Sequence, residues 1–497
     1  MNLADLLAAL PASPCGDGPV VLGARNRDIT GLAVHSAQVR SGDLFAAIRG
    51  LSHDGHEYVA DAVRQGAVAV LVDHPFPGLG ATQVVVSDTR LALGQVAAAF
   101  HSAPSAHLWV CGVTGTNGKT TTTYLLEDIL ARAGHRVGLV GTLGARLLGA
   151  QMELHSSTPT TPEAPVLQRL LADMRAAGAR DVIVEVTSHA LVLHRVEGCR
   201  FSAAVFTNLT QDHLDFHQDF AGYRDAKARL FEMVVPDGVS VVNADDEAGA
   251  VMMRSSRAPV WTYGIERPAD VTAERPEFGP HGTRLSIAWP GGRIPVELPL
   301  PGRFNVANAL AAATVALARG IAPEVVREAL ETASGVPGRC EIVDEGQPFT
   351  VIVDYAHTPD GLEKVLELAR EVAPGRCLAV FGCGGDRDRT KRPLMARIGT
   401  TLADYAVFTS DNPRSEDPVA ILRDMEAGVP GSRNFESEPD RRRAIGRALA
   451  LARPGDVVVI AGKGHEPYQI LRDRTVAFDD REVAREWLRN GRRELGA

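Results

Sequence analysis

The stretch VTGTNGKTTTTYLL, residues 113–126, combines the glycines, the lysine and the hydroxyl side chains of a phosphate-binding loop. In such a loop Lys119 can reach terminal phosphates, and Thr120 or Thr121 can offer a hydroxyl to Mg²⁺. The common P-loop pattern has a glycine five positions before the Gly-Lys pair, where this chain has Val113. A glycine turn that merely precedes a helix is the alternative. The stretch predicts nucleotide binding but does not identify the reaction.

Two acidic segments follow apolar runs further along the chain. DVIVEVTSHAL, residues 181–191, has Glu185 where a metal-bound nucleotide needs a carboxylate, because Mg²⁺ prefers oxygen ligands. AAVFTNLTQDHLDFHQDF, residues 203–220, adds Asp212 and His213, which by themselves leave a transition-metal site open. Alone, Glu185 would be an ordinary polar residue at a strand end. Together with the loop, both segments favour a Mg²⁺-nucleotide site.

Four polar clusters near the C-terminus each follow an apolar run. They are DYAHTPD (354–360), GCGGDRDRTKR (382–392), SDNPRSEDP (410–418) and GKGHE (462–466). The apolar runs alternate with helical patterns at 360–372, 391–403, 418–427 and 440–452. This alternation predicts a parallel sheet with right-handed crossovers. Open α/β sheets bind ligands at the carboxyl ends of their strands, so the four clusters predict a binding face.

The elements around the loop must hold it against phosphates. LWVCGV, residues 108–113, is typical of a buried strand, and the residues after the loop have helical apolar spacing. Strand, glycine loop and helix together direct backbone N–H groups and the positive end of the helix at an anion. This segment therefore predicts a P-loop-type nucleotide-binding domain.

A length of 497 residues predicts about three domains. The Pro-, Ser- and Gly-containing segments at 101–107 and 334–339 are plausible boundaries. We predict an α/β protein with domains at 1–104, 105–336 and 337–497. The central domain is of the P-loop type, and the C-terminal domain is a Rossmann-like domain with a parallel sheet.

Composition excludes several classes of protein. There are 52 basic and 61 acidic residues, and a net charge of −9 argues against general binding to nucleic acid. The apolar N-terminus is short and has Asp5 where a secretion signal has a basic residue, so we expect a short amphipathic helix there. No run reaches the roughly 18 apolar residues of a membrane span. The cysteines lack a C-x-x-C pair, which favours reduced thiols and a cytoplasmic location; they are Cys15, Cys111, Cys199, Cys340, Cys377 and Cys383.

Taken together, these segments resemble the Mur ligase family, the ATP-dependent amide-bond-forming enzymes of bacterial cell-wall synthesis. Nine motifs occur in the family's order over nearly the whole chain: TPTTPEA, EVTSHAL, TNLTQDHLDFH, YRDAKARLF, GRFNVANALAA, DYAHTPD, GCGGDRDRTKRP, SDNPRSEDP and GKGHE. The offset glycine belongs to the ATP loop of this family. Within the family, the match favours the member that joins a diamino acid to a UDP-muramoyl-dipeptide through an acyl phosphate.

The resemblance implies roles that spacing alone does not. The residues implied for the ATP phosphates are Gly115, Thr116, Asn117, Gly118, Lys119, Thr120 and Thr121, with Asn305 and His357 at the adenosine. Mg²⁺ would lie among Thr120, Glu185, His213 and Lys227, with Lys227 converted by CO₂ into a carbamate. Lys119, Lys227, His213 and Glu185 would be catalytic. On spacing alone, Lys227 would be an ordinary solvated helix lysine.

The resemblance also implies two sets of substrate contacts. UDP-muramoyl-dipeptide would contact Ser36, Thr160, Thr161, Thr187 and Arg195, with the turn at 51–53 and Ser36 holding the uridine end in the N-terminal domain. The diamino acid would contact Arg387, Asp411, Asn412, Pro413, Arg414, Gly462 and Glu466 in the C-terminal domain. We expect these small molecules as the partners of a monomer.

Three positions depart from the family pattern. The chain has HSA at 35–37 where Asp-Ser-Arg is frequent, Thr187 where serine is usual, and Leu193 where a substrate-binding glutamine is usual. These departures affect the expected uridine contacts and remove one polar contact to the substrate.

The identity of the diamino acid depends on Asp-Asn-Pro-Arg at 411–414. In the family this motif goes with meso-diaminopimelate, so Arg414 would bind the distal carboxylate and Glu466 the distal ammonium. The motif could instead merely turn the chain, since Asn-Pro is a turn signal. Three alternatives stay open: the same ligase using L-lysine or L-ornithine, a folylpolyglutamate synthetase, and an ATPase switch that makes no bond.

Overall fold

The computed structural model describes residues 1–10, 19–50, 53–152, 159–210, 212, 214–217, 219–279, 282–372 and 374–494. Strands form three large sheets, which fall within residues 20–85, 109–298 and 341–461. The predicted α/β class with parallel sheets is confirmed. The domain limits at 104/105 and 336/337 stay predictions.

The middle sheet has eleven strands and carries the glycine loop. Seven neighbouring strands are parallel, in the order Val137–Gly141, Asp181–Glu185, Trp109–Thr114, Phe201–Phe206, Val234–Asn243, Val260–Gly264 and Val271–Gly279. Antiparallel strands extend both edges: Gly144–Leu147 and Ala150–Gln151 on one, Gly282–Trp289 and Gly292–Leu298 on the other.

Helices cover both faces of the middle sheet, because its parallel strands are apolar on both sides. One face packs against Lys119–Arg132, Arg303–Ala318 and Pro323–Glu331. The other face packs against Ala164–Ala176, Ser188–Val192, Phe220–Glu232 and Gly249–Ser255, and the short helix Leu214–His217 precedes the third of these. The predicted strand and helix on either side of the glycine loop are both present.

The first sheet has five strands, in the order Val20–Leu22, Thr82–Val85, Ala69–Val72, Asp43–Ala46 and Gly31–Ala33. All neighbours are parallel except Val20–Leu22. Helices Leu3–Leu7 and Thr89–Phe100 contribute to one core cluster, and Val59–Arg64 contributes to the other. The short helices are Ser36–Gln38, Gly55–Tyr58 and Pro104–His107. The predicted N-terminal helix is thus present as Leu3–Leu7.

The third sheet has six strands, in the order Glu341–Ile342, Thr350–Asp354, Val457–Ala461, Cys377–Phe381, Tyr405–Phe408 and Phe435–Ser437. Only the first is antiparallel to its neighbour. Its helices are Pro359–Val372, Lys391–Leu402, Pro418–Glu426, Arg441–Leu451 and Asp480–Glu494, and a hairpin joins Tyr468–Ile470 to Thr475–Ala477. The strands and helices predicted for this region are confirmed.

None of the helices in the described ranges combines the length and apolar character that a membrane span requires. The cysteines in those ranges are free thiols: Cys111, Cys199, Cys340, Cys377 and Cys383.

Candidate functional site

The glycine loop, residues 115–118, has a backbone shape that requires glycine at both ends. Gly115 has φ +153° and Gly118 has φ +83°, conformations that residues with a Cβ rarely adopt. A Cβ at Gly115 would overlap the hydroxyl of Thr207, and a Cβ at Gly118 would overlap the amide oxygen of Asn308. Val113 lies inside the preceding strand. The turn therefore begins at Gly115, and the usual P-loop glycine position is extended backbone.

Lys119 is the first residue of the helix that follows the loop, and its side chain folds back over it. The ammonium donates to the carbonyl oxygens of Gly115 and Thr116, at 2.8 Å each. Desolvation lowers the pKa of Lys119, and the nearby negative charge of Glu185 opposes that shift. An anion bound by the loop would replace these two carbonyl oxygens as the acceptor of the hydrogen bonds from Lys119.

An oxygen-rich group lies beside the start of the same helix. Glu185 is fully buried at the end of its strand. Its Oε2 accepts hydrogen bonds from the hydroxyls of Thr120 at 3.1 Å and Thr142 at 2.9 Å, and its Oε1 accepts the N–H of Thr142 at 3.1 Å. A set of hydroxyl and carboxylate oxygens fits Mg²⁺. His213, the third residue expected here, lies outside the described residues.

Lys227 reaches the glycine loop from the helix Phe220–Glu232. Its side chain is 1% exposed, so the reading of a solvated helix lysine is wrong. The ammonium donates to the carbonyl oxygen of Gly115 at 2.9 Å and lies 4.4 Å from the centre of the Tyr223 ring. Burial, and then the positive charge of Lys119, lower the pKa of Lys227 well below its usual value. This environment favours a neutral amine.

A cavity of about 760 Å³, here called the large cavity, joins residues from the second and third sheets. From the middle of the chain it takes Thr116 to Thr121, Thr160, Thr161, Thr187 and Arg195. From the C-terminal part it takes Arg387, Asp411, Asn412, Arg414, Gly462 and Glu466. Three separately predicted sets of residues therefore line one cavity.

The threonine and arginine set is held by the strand end that carries Glu185. The hydroxyl of Thr161 donates to the backbone carbonyl of Glu185 at 2.8 Å and accepts the N–H of Thr187 at 3.1 Å. Thr187 also caps the helix Ser188–Val192 through its hydroxyl, which serine could equally do. Leu193 lines the same cavity with an apolar side chain.

Arg195 points along the wall of the large cavity. Its Nε donates to Oε1 of Glu163 at 3.0 Å, and its Nη1 donates to the carbonyl of Thr161 at 3.2 Å. Arg90, from the first-sheet region, approaches the other oxygen of Glu163 at 3.4 Å. Two guanidinium groups thus share one carboxylate, and the surplus positive charge suits an anionic substrate.

At the C-terminal end of the large cavity, polar side chains are fixed by hydrogen bonds to one another and to the backbone. Asn412 donates to Oε2 of Glu466 at 2.8 Å, and Arg414 donates to the carbonyl of Gly385 at 2.8 Å. Arg414 has φ +51°, an unusual backbone conformation for a residue with a side chain. Pro413 is buried and does not belong to the cavity lining among the described residues, and its contact with the diamino acid stays a prediction.

A second cavity, of about 410 Å³, also borders the loop and is here called the small cavity. Asn305 and His357 both line it, together with Gly118 and Thr121. The side-chain amide of Asn305 donates to the carbonyl of Pro301 at 2.8 Å. Desolvation lowers the pKa of His357, as does the charge of Lys391. The residues predicted to contact adenosine are therefore together, next to the loop.

The predicted uridine contacts lie elsewhere. Ser36 begins a short helix after the strand Gly31–Ala33, and it does not line either cavity among the described residues. Residues 51 and 52 of the predicted turn lie outside the described residues. His53 accepts the N–H of Gly50 through its carbonyl at 2.8 Å. The uridine contacts stay a prediction.

Arg339 is a residue of the site that the sequence did not reveal. It lines both cavities, and its guanidinium lies 4.5 Å from the centre of the Tyr355 ring. Its Nε is buried, and within the described ranges no acceptor reaches it. A buried, unpaired donor between the two cavities suits an incoming anion. The only sequence signal was its position in SGVPGR, which we interpreted as a boundary.

Asp360 was also missed as a contact to the loop. Its Oδ2 accepts hydrogen bonds from the Asn117 amide at 2.5 Å and from the Thr210 hydroxyl at 3.1 Å. Asp360 lies in the first turn of the helix Pro359–Val372 of the third-sheet region. This contact fixes that helix against the glycine loop, and the motif DYAHTPD, which ends at Asp360, was its sequence signal.

Three family models match the chain in sequential order. The model described as "Mur ligase family, catalytic domain" matches residues 28–101, "Mur ligase middle domain" matches residues 113–316, and "Mur ligase, glutamate ligase domain" matches residues 338–464.

Individual relatives match over almost the full length. The UDP-N-acetylmuramoyl-L-alanyl-D-glutamate--2,6-diaminopimelate ligase of Geobacillus thermodenitrificans is 47% identical over 492 residues, which are 98% of this chain and 99% of that protein. The protein of the same name from Gloeobacter violaceus is 49% identical, covering 93% of this chain and 94% of its own. A solved structure of a ligase with this name is 33% identical, with a TM-score of 0.68 over 95% of this chain and 97% of that chain. With relatives this similar over nearly every residue, the chain belongs to the Mur ligase family.

Proposed function

We propose that this chain is an ADP-forming ligase that adds meso-2,6-diaminopimelate to UDP-N-acetylmuramoyl-L-alanyl-D-glutamate in peptidoglycan synthesis. The observation that carries the proposal is the large cavity, where the glycine loop, the Thr160–Arg195 set and the Arg414–Glu466 set meet. The names of the relatives support the same substrates. A nucleotide switch would need only the first of the three sets.

The proposed reaction joins a carboxylate to an amine. A carboxylate is a poor electrophile at neutral pH, so the γ-phosphoryl group of ATP is first transferred to it, giving ADP and an acyl phosphate. The amino nitrogen of the diamino acid then attacks the acyl carbon, the C–N bond forms, phosphate leaves, and the nitrogen loses a proton. Water must be kept out of this step, which a cavity walled by two sheet regions supports.

The residues of the chain position groups and neutralise charge. Lys119 would release the carbonyls of the loop and bind phosphate oxygens, and Arg339 would offer its unpaired N–H to the anion that passes between the cavities. Thr120 and Glu185 would hold Mg²⁺. Bound there, Mg²⁺ would screen the charge of the phosphate oxygens.

We also propose that Lys227 is carbamylated. A neutral lysine amine attacks the carbon of CO₂, an N–C bond forms as one C–O π bond opens, and the nitrogen releases one proton to solvent. The lowered pKa of Lys227 supplies that neutral amine, and its contact with Gly115 puts the product beside the loop. An ammonium at this place would repel a divalent ion, whereas a carbamate would attract it.

We propose a monomer that acts in the cytoplasm. The reaction consumes ATP, and the described cysteines are free thiols, which agrees with a reducing compartment.

The test is ADP release from the purified chain with the UDP-muramoyl-dipeptide and a panel of amino acids. We expect release to require both substrates and to be fastest with meso-diaminopimelate rather than L-lysine or L-ornithine. Hydrolysis of ATP that is indifferent to both substrates would contradict the proposal and favour a switch. A preference for glutamate and a folate acceptor would favour a folylpolyglutamate synthetase.

A further inference from the structure

Lys463 is a fully buried lysine to which the proposed reaction gives no task. It follows the strand Val457–Ala461, and its side chain is 0% exposed. Among the described residues, Gly462 and Glu466 line the large cavity and Lys463 does not. A buried ammonium is costly unless it is paired and hydrogen-bonded. The groups that pair with the Lys463 ammonium therefore explain why this side chain can be buried.

Both side-chain partners of Lys463 belong to the diamino-acid set. The ammonium donates to Oε2 of Glu466 at 3.0 Å and to Oδ1 of Asn412 at 3.2 Å. Asn412 Oδ1 also accepts the N–H of Ile470 at 2.9 Å, and the Asn412 amide donates to Oε2 of Glu466. Lys463 thus fixes the orientation of both side chains from behind the cavity wall.

The two carboxylate oxygens of Glu466 have different hydrogen-bond partners. Oε2 accepts hydrogen bonds from Lys463 and Asn412, whereas Oε1 accepts a long one, of 3.5 Å, from the hydroxyl of Tyr355. One oxygen of Glu466 is therefore available to a substrate ammonium. The negative charge of Glu466 is already compensated by Lys463.

The charge around the diamino acid follows from this pairing. Arg387 and Arg414 are positive, and Asp411 and Glu466 are negative, so these four side chains of the cavity wall sum to zero. Lys463, behind the wall, compensates the charge of Glu466. Nearby, Arg441 is paired with Asp480, and both are fully buried, so that pair adds no net charge.

The distal ends of the candidate amino acids differ in charge. Meso-diaminopimelate carries an ammonium and a carboxylate there and is neutral overall, whereas lysine carries an ammonium alone. Because Lys463 compensates the charge of Glu466, the site attracts a lone ammonium only weakly, whereas a carboxylate beside the ammonium can pair with the guanidinium of Arg414. An unpaired Glu466 would attract the lysine ammonium more strongly.

We infer that Lys463 is a positioning residue that sets specificity through Glu466. By holding and neutralising that carboxylate, it favours an amino acid whose distal end carries a carboxylate beside its ammonium and disfavours one with an ammonium alone. The inference rests on the proposed function, since it concerns the choice of diamino acid by the same site.

The experiment compares kcat/KM for meso-diaminopimelate and L-lysine in wild type, Lys463→Met and Lys463→Arg. We expect Lys463→Met to lower the ratio of the two values by about tenfold or more, while the KM for ATP stays within about twofold. Lys463→Arg keeps the charge and should retain most of the preference. Arg376→Met, which breaks the pair with Asp456 elsewhere in the third-sheet region, is the control and should leave the ratio unchanged.

A double-mutant cycle tests whether Lys463 acts through Glu466. In a Glu466→Gln background, Lys463→Met should change the ratio by less than about twofold. Lys463→Gln is a second neutral variant, for use if Lys463→Met does not fold. An unchanged preference in a folded neutral variant, or an equal shift in the Glu466→Gln background, would overturn the inference. Absence of ADP release with any diamino acid in wild type would instead refute the proposed function.

Discussion

The two ends of the large cavity hold their charged side chains in different ways. At the loop end, Lys119 and Lys227 donate to backbone carbonyls, and within the described ranges neither forms an ion pair with a carboxylate. At the C-terminal end, Lys463 is paired with Glu466, and Asn412 bonds to both. The two lysines of the loop end thus bond to backbone oxygens, whereas the other end pairs a lysine with a carboxylate.

This difference separates two tasks. The ammonium of Lys119 is compensated when a phosphate arrives, and a carbamate on Lys227 would attract the metal ion, so both residues would contribute to phosphoryl transfer whichever amino acid is used. The paired groups at the other end contribute little net charge. They discriminate among amino acids by geometry, and by whether a bound amino acid leaves one of their charged side chains without a partner. Substitutions at the loop end should change turnover with every amino acid alike. Substitutions at the other end should change the preference among amino acids.

The largest effect is expected from Lys119→Ala. Loss of the ammonium should lower kcat on the order of a thousandfold for meso-diaminopimelate and L-lysine alike, because the phosphate charge is no longer screened. ADP release measures this, and circular dichroism checks the fold. Arg132→Ala, at the exposed end of the same helix, should keep full activity. Near-normal turnover of folded Lys119→Ala would show that phosphoryl transfer at the loop end does not need this ammonium.

Lys227→Ala should also lower turnover without changing amino-acid preference, by about a hundredfold or more, because the expected carbamate oxygen is lost beside Mg²⁺. Small carboxylates should restore part of the activity, and NMR with isotopically labelled bicarbonate should show a carbamate carbon in wild type only. Arg224→Ala on the same helix is the control. Full activity of Lys227→Ala, or a wild type without a carbamate signal, would exclude the modification.

Arg414→Ala should act on preference rather than on phosphoryl transfer. The ratio of kcat/KM for meso-diaminopimelate over L-lysine should fall by about a hundredfold, because the distal carboxylate loses its guanidinium partner in a partly buried site. Arg389→Ala removes an exposed arginine that pairs with Glu416 and should leave the ratio unchanged. A ratio in Arg414→Ala equal to that of wild type would show that another residue recognises the carboxylate.

Elements of both ends could be predicted from the sequence. The strand Trp109–Thr114, the glycine loop and the helix Lys119–Arg132 follow from local apolar spacing and glycine positions. The alternation of the third sheet likewise predicted that the clusters containing Arg414 and Glu466 would meet at one edge, and both line the large cavity. Local sequence pattern was sufficient to predict those elements that are formed by residues close together in the sequence.

Contacts between distant segments could not be predicted in this way. Lys227 bonds to Gly115 across 112 positions, and nothing in the helical spacing distinguishes it from a solvated lysine. Arg339 gains its place only because the second and third sheet regions pack on either side of it. Lys463 belongs to the polar cluster GKGHE, and its hydrogen bond to Asn412 spans 51 positions. Such roles depend on tertiary packing, which spacing does not encode.

The smallest expected effect concerns Leu193, which lines the large cavity between the two ends. Leu193→Gln would give the wall an amide that can hydrogen-bond the dipeptide, and one hydrogen bond contributes about 0.5–1.5 kcal/mol, or roughly twofold to tenfold in affinity. We expect the KM for UDP-muramoyl-dipeptide to fall by about threefold, with the KM for ATP and the amino-acid preference unchanged. Leu193→Met, of similar size and without polar atoms, should behave as wild type, as should Val192→Gln on the exposed neighbour. A Leu193→Gln variant with an unchanged or higher KM for the dipeptide would indicate that the leucine already contributes an apolar contact, and that the chain binds this substrate without the family's glutamine.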